Sequence, residues 1–252
     1  MTDLELLVDL HLDGERQGPG SIDVTKKAMQ YLRIEENKNY RIADIGCGTG
    51  AQTITLAKNL QGHIIAVDLF PEFLRKLKIK SKAENIDEKI TIKEMSMESL
   101  NFKENEFDII WSEGAIYNIG FENGIKQWKK YLKPGGFIAV SEITWITNKR
   151  PLEIERHWNK EYPEIDSASN KIKILEENGF SPVGYFILHQ DSWIENYYKP
   201  MEKRFDDFLK RHDNSEIAKN IVDNEREEIR KYKKYKDYFS YGFYIAKKLL
   251  SK

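Results

Sequence analysis

Between residues 40 and 142 the chain alternates short apolar runs with stretches in which apolar residues recur every three to four positions. The runs at 40–45, 63–67, 89–93, 107–112 and 137–141 predict strands, and the stretches at 50–60, 71–84 and 121–132 predict helices. The gap at 94–106 reads as a loop with at most a short turn of helix. Leu132-Lys133-Pro134-Gly135-Gly136 supplies a helix end and a turn before the fifth strand. Strand-then-helix order with short links argues a parallel sheet covered on both faces. Ahead of this unit, residues 1–20 are mixed and end in Arg16-Gln17-Gly18-Pro19-Gly20, which proline and glycine keep out of regular helix. Ser21 or Asp23 caps a helix to about Arg33, with Val24, Ala28, Met29 and Leu32 near helical spacing.

Past Glu142 the pattern changes. Arg156, Trp158, Tyr162 and Pro163 sit in a mixed segment, and a helix over 168–178 closes at Asn178-Gly179. Residues 183–188 and 239–246 read as sixth and seventh strands, too far apart for a hairpin. Between them Ile194, Tyr198, Met201, Phe205 and Phe208 share one helical face, either as a packing stripe or as a lid whose apolar side closes a cavity. The stretch that follows, through Glu225-Arg226-Glu227-Glu228, has Glu227 four residues before Lys231 and reads as a solvated helix. Its basic end, Arg230 to Lys236, is expected to face water, with contact to an anionic partner as the alternative. The fold class is therefore α/β, with 1–35 as an N-terminal arm and helix and 192–236 as a helical insertion within one domain spanning 1–252.

Composition narrows the function. With 252 residues, 40% of them hydrophobic, the chain buries a substantial core, and a net charge of −1 implies no basic face for nucleic acid. Cys47 is the single cysteine, which excludes an internal disulfide and a cysteine-rich zinc site, and the five histidines lack ligand spacing, so no metal is expected. Met1-Thr2-Asp3-Leu4-Glu5 is not a basic leader, and no run approaches the roughly 18 apolar residues of a membrane span. A cytoplasmic protein follows as the expectation.

The chemistry concentrates in Asp44-Ile45-Gly46-Cys47-Gly48-Thr49-Gly50, a buried strand breaking into a glycine turn that opens a helix. Alternate glycines let a ligand approach the backbone, and the N–H groups of the helix start face it. Asp68, about twenty residues on at the end of the second strand, can accept both hydroxyl hydrogens of a ribose. Gly46-x-Gly48-x-x-Ala51 fits a dinucleotide fingerprint, so an NAD(P)-dependent oxidoreductase is one reading. Glu113 ends the fourth strand at the edge where open α/β sheets bind ligands. Tyr117 follows it as a candidate catalytic phenol. His189, at the end of the sixth strand, is a candidate base because histidine titrates near neutrality. Cys47 reads as filler within the turn.

Taken in order, the glycine turn, Val67-Asp68-Leu69, Met95-Ser96-Met97-Glu98-Ser99-Leu100-Asn101-Phe102 and Leu132–Gly136 resemble the class I S-adenosylmethionine-dependent methyltransferases over residues 40–142. The resemblance implies a Rossmann-like seven-stranded, mostly parallel sheet with flanking helices and an antiparallel last strand. It implies that Gly46, Gly48 and Gly50 line the methionine part of S-adenosyl-L-methionine, with Asp44 supporting the loop or reaching the ammonium through water. Asp68 would hold the ribose, Leu69 would lie against the adenine, and Ser96 and Met97 would contact the adenine edge. Many relatives carry aspartate where Ser96 stands. Glu113 would lie beside the methionine end or position the acceptor. Arg16-Gln17 resembles an arm of small-molecule methyltransferases, which joins both residues to the cofactor set, Arg16 facing the methionine carboxylate or an anionic acceptor. The implied activity is methyl transfer to a small-molecule acceptor with release of S-adenosyl-L-homocysteine, without a metal. A non-catalytic S-adenosylmethionine-binding module fits the same residues, a homodimer is a possible assembly, and the accepting atom is left open.

Overall fold

The computed structural model of the protein describes residues 2–35 and 37–250. Strands β1 (Tyr40–Ile45), β2 (Gly62–Asp68), β3 (Ile90–Glu94), β4 (Phe107–Glu113), β5 (Leu132–Trp145), β6 (Asp166–Ser167), β7 (Phe180–Ile187) and β8 (Phe239–Lys248) form one sheet in the order β3-β2-β1-β4-β5-β8-β7, with β6 paired to the end of β5. Every pairing is parallel except those of β8, which runs antiparallel to both β5 and β7. The seven-stranded sheet expected from the pattern is thus present, extended by the two-residue β6.

Successive strand residues face opposite cores. Ile42, Ile64, Ile109, Trp111, Phe243 and Ile245 pack with α1 (Asp3–Leu12), α2 (Ile22–Met29), α3 (Ala51–Asn59) and α4 (Pro71–Ala83). Their neighbours Ala43, Ile65, Ile110, Ile138 and Tyr244 pack with α5 (Phe121–Lys129) and α7 (Ala168–Glu177) on the other face. Burial on both faces explains why these strands read as unbroken apolar runs.

Three features differ from the pattern-based reading. Helix α1 forms in the mixed N-terminal segment because Thr2 and Glu5 close a capping box, each side chain bonding the other's backbone N–H. Helix α6 (Leu152–Glu161) occupies the segment around Trp158. Strand β5 starts at Leu132 instead of 137, because Gly135, at φ +77°, absorbs a bulge that lets Leu132 pair with Phe107 and Phe137 with Ile109.

The insertion is also more broken than one striped helix. It runs through α8 (Asp191–Trp193), a π-helical turn at Ile194–Tyr198, α9 (Lys199–Glu202), α10 (Phe205–Arg211) and α11 (Glu216–Tyr235). Tyr198, Met201, Phe205 and Phe208 are buried in the first core, so the stripe packs and does not itself line a cavity. Helix α11 is not simply solvated, since Val222, Ile229 and Tyr232 are buried along it while Glu227 pairs with Arg230 and Lys231 outside.

Across the second core, Lys171 on α7 and Glu142 on β5 form an ion pair at 3.3 Å, with both side chains almost fully buried. Lys171 Nζ also donates to the Glu164 carbonyl at 2.8 Å. Burial pushes Glu142 up to about 7 against the pull of Lys171. Lys171→Met is expected to destabilise the fold by about 3–5 kcal/mol at pH 8 in denaturant titrations, because it strands a buried carboxylate. Adding Glu142→Gln should recover most of the loss; an unchanged midpoint in the single variant would contradict a structural role for the pair.

Candidate active site

The glycine turn is held from below. Gly46 and Cys47 both donate N–H bonds to the Val67 carbonyl, at 2.8 and 2.9 Å, so the turn follows the end of β2. Gly48 has φ +54°, and a Cβ there would stand 2.4 Å from Gln17 Oε1, so neither the conformation nor the space admits a side chain. Gly46 and Gly48 line a cavity of about 590 Å³ at the carboxyl edge of the sheet; Gly50 caps α3 away from it, against Leu77.

Asp44 and Asp68 have different surroundings. Asp44 is fully buried below the turn, where Thr53 donates to Oδ2 at 2.5 Å and Gln52 to Oδ1 at 3.3 Å, tying β1 to α3. Burial pushes its carboxyl up to about 7, with the Thr53 bond opposing and the Glu113 and Asp68 charges adding. It is not part of the cavity lining, and so supports the turn from beneath. Asp68 does line the cavity; it accepts from Gly48 N–H at 2.8 Å and Phe70 N–H at 3.0 Å, and burial raises its carboxyl. Leu69, Ser96 and Met97 continue the same wall.

The N-terminal arm forms the opposite wall. Arg16 pairs with Glu113 at 2.7 Å, both side chains more than nine-tenths buried. Thr25 and the Trp111 indole donate to the other Glu113 oxygen at 2.7 and 2.9 Å. Arg16 is thus held by Glu113 instead of standing free for an incoming carboxylate, a change from the sequence reading. Gln17 Oε1 accepts from Thr49 N–H at 2.8 Å, while its amide donates to the carbonyls of His11 and Gly14. The arm is thereby latched to the turn and to β4 together.

Tyr117 sits where the large cavity meets a second chamber of about 200 Å³, and lines both. Its surface opens into the cavity, while the surrounding protein and the charge of Glu228 push its phenol up. His189 lies elsewhere. It lines neither chamber, is turned to solvent and accepts from Asp191 N–H at 3.4 Å, which removes the geometric basis for a base at the site.

The sequence reading missed the roof. His11 from α1, Tyr197 from the π-helical turn, and Glu225 and Glu228 from α11 all line the large cavity. Glu225 lies 3.7 Å from His11 Nε2, and Glu228 accepts from the Tyr198 hydroxyl at 2.9 Å. Burial, with Glu225 adding, pushes Glu228 up to about 7. The available clue was the apolar period of Val222, Ile229 and Tyr232, which gives α11 a buried face.

Residues 42–136 match the family model described as a methyltransferase domain. That match covers the glycine turn, Asp68, Ser96, Met97 and Glu113. Over these residues the chain is similar to the methyltransferase-domain family. It is 26% identical over 174 residues to the sterol 24-C-methyltransferase of Kluyveromyces lactis, covering 65% of this chain and 46% of that one. It is 27% identical over 148 residues to the phosphoethanolamine N-methyltransferase of Plasmodium falciparum, covering 58% and 51%. The chain thus spans about half the length of these relatives. In fold it matches a methyltransferase from Geobacter sulfurreducens solved with S-adenosyl-L-homocysteine, with TM-score 0.83, 17% identity, and 96% and 97% of the two chains covered. Among the described residues, no group of three or more His, Cys, Asp or Glu is arranged to hold a metal, and no helix is long and apolar enough to cross a membrane.

Three buried carboxyls, Asp44, Glu142 and Glu228, are each pushed up to about 7, above their unfolded values. The folded state therefore holds more protons than the unfolded state between about pH 4 and 7. Their contribution is full below that window and is lost as pH rises through it. The protein without added ligand is expected to lose unfolding free energy from pH 5 to pH 8, with a shallower slope in Glu228→Gln. A rise in stability across this window would contradict the assignment.

Proposed function

We propose that the protein transfers the methyl group of S-adenosyl-L-methionine to a small-molecule acceptor in this cavity, leaving S-adenosyl-L-homocysteine. The observation that carries the reading is the continuity of the glycine turn and Asp68 with a roofed chamber, within a sequence that matches the methyltransferase family. A volume of about 590 Å³ lies within the range of small-ligand sites.

The residues fit the cofactor. Gly46 and Gly48 offer bare backbone to its methionine part. Each Asp68 oxygen already takes one N–H and retains a lone pair for a ribose hydroxyl. Leu69, exposed within the cavity wall, and Met97 give the adenine apolar contact, with Ser96 at its edge. The Arg16–Glu113 pair and Gln17 form the wall on the methionine side, beside the amino-acid group. When bound, the cofactor supplies a methyl group already activated on a sulfonium sulfur. The chain's part is then to orient the acceptor in line and to exclude water. The arm, α1 and α11 do this by roofing the sheet edge, and Tyr117 stands between the cofactor cavity and the second chamber.

Calorimetry is expected to show binding of S-adenosyl-L-methionine and S-adenosyl-L-homocysteine and none of NAD(H); the reverse would overturn the proposal. Asp68→Ala should weaken S-adenosyl-L-homocysteine binding by about 1.5–3 kcal/mol, the scale of hydrogen bonds to a charged group. Unchanged affinity would put the ribose elsewhere.

A further inference from the structure

Aromatic rings form much of the wall of the second chamber. Tyr117, Trp158, Tyr162, Trp193, Tyr197 and Tyr241 line it, with Tyr117 and Tyr162 edge to face at 6.2 Å and Trp193 and Tyr241 at 4.9 Å. Glu228 lines this chamber and the larger cavity alike.

The charges around both chambers are unbalanced. Among the described residues lining them, Arg16 is the only arginine or lysine, and Glu113 holds it. Glu225 and Glu228 face the space with no lysine or arginine bonded to either. Lys231, on the same helix as Glu228, is turned to Glu227 and His157, and His11 Nε2 lies 3.7 Å from Glu225. Beside the cavity Glu225 Oε2 is a buried acceptor without a hydrogen-bond donor. Unpaired carboxylates beside aromatic faces, in space partly withdrawn from water, favour a cation and disfavour a phosphate or carboxylate group.

We propose that the acceptor is a small amine, recognised as its ammonium form by this aromatic chamber and Glu228. The inference rests on the methyl-transfer reading. The ammonium gives one proton to the Glu228 carboxylate, and the freed nitrogen lone pair forms the new bond to the methyl carbon. The carbon–sulfur bond breaks with its electron pair going to sulfur, which becomes the neutral thioether. The product leaves as a methylated ammonium, and Glu228 returns its proton to solvent. A carboxylate raised toward neutrality by burial suits that exchange.

The test uses the protein loaded with S-adenosyl-L-homocysteine, which carries no sulfonium charge. Choline and its uncharged isostere 3,3-dimethyl-1-butanol are titrated while following tryptophan fluorescence, with Trp158 and Trp193 in the chamber as reporters. The expected result is at least tenfold tighter binding of choline, a preference that Glu228→Gln reduces about tenfold while S-adenosyl-L-homocysteine affinity changes less than twofold. Should Glu228→Gln not fold, Trp158→Leu is expected to weaken choline binding similarly. Turnover should appear with primary and secondary amines and not with matched alcohols, phenols or thiols. Equal binding of choline and its isostere, or turnover confined to hydroxyl or thiol acceptors, would overturn the inference. Failure to bind S-adenosyl-L-homocysteine at all would instead fall on the methyl-transfer reading.

Discussion

The buried ion pair between Arg16 and Glu113 is the contact on which the site depends, because it joins chain segments 97 residues apart at the carboxyl edge of the sheet. Its contribution to stability is small, since taking two charges out of water costs about what their attraction returns. What it fixes is position. With Glu113 also receiving Thr25 and the Trp111 indole, the pair sets where the N-terminal arm crosses β4. Gln17, the next residue, then reaches Thr49 in the glycine turn, and Gly18 and Pro19 line both chambers. A flat sheet edge thereby becomes one wall of a cavity.

The roof depends on this arrangement in turn. Helix α1 leads into the arm, and Asp9 on it binds Arg211 and His212 of the insertion at 2.7 and 2.9 Å. Helix α11 lies against α1 and brings Glu225 and Glu228 over the cavity. Positive groups are taken up by these structural contacts, and acidic ones face the enclosed space. Glu225 and Glu228 are thereby left facing the cavity with no lysine or arginine bonded to either, a property that no single element shows.

The sheet was legible because its strands are buried on both faces and its turns carry glycine or proline where the backbone requires them. Ile42 to Ile45, the glycine turn and Asp68 stand where the pattern put them, and β8 is antiparallel as the family resemblance implied. The site was legible only along the sheet edge. Asp44 and Gly50 belong to the turn's support rather than to the cavity lining, and His189 faces solvent, since strand order alone does not reveal which way a side chain at a strand end turns. The roof was hidden because Glu225 and Glu228 stand among charged residues on an amphipathic helix, where solvent and a cavity produce the same sequence. The Arg16–Glu113 pair was hidden for another reason: both residues were visible as candidates, but nothing local paired them.

A crystal structure with S-adenosyl-L-homocysteine bound would show which wall of the cavity each part of the cofactor takes. The ribose hydroxyls are expected on Asp68, the amino-acid end beside Arg16 and Glu113, and the sulfur directed past Tyr117 toward the aromatic chamber. An adenine seated in that chamber, or a sulfur directed to bulk solvent, would contradict this placement.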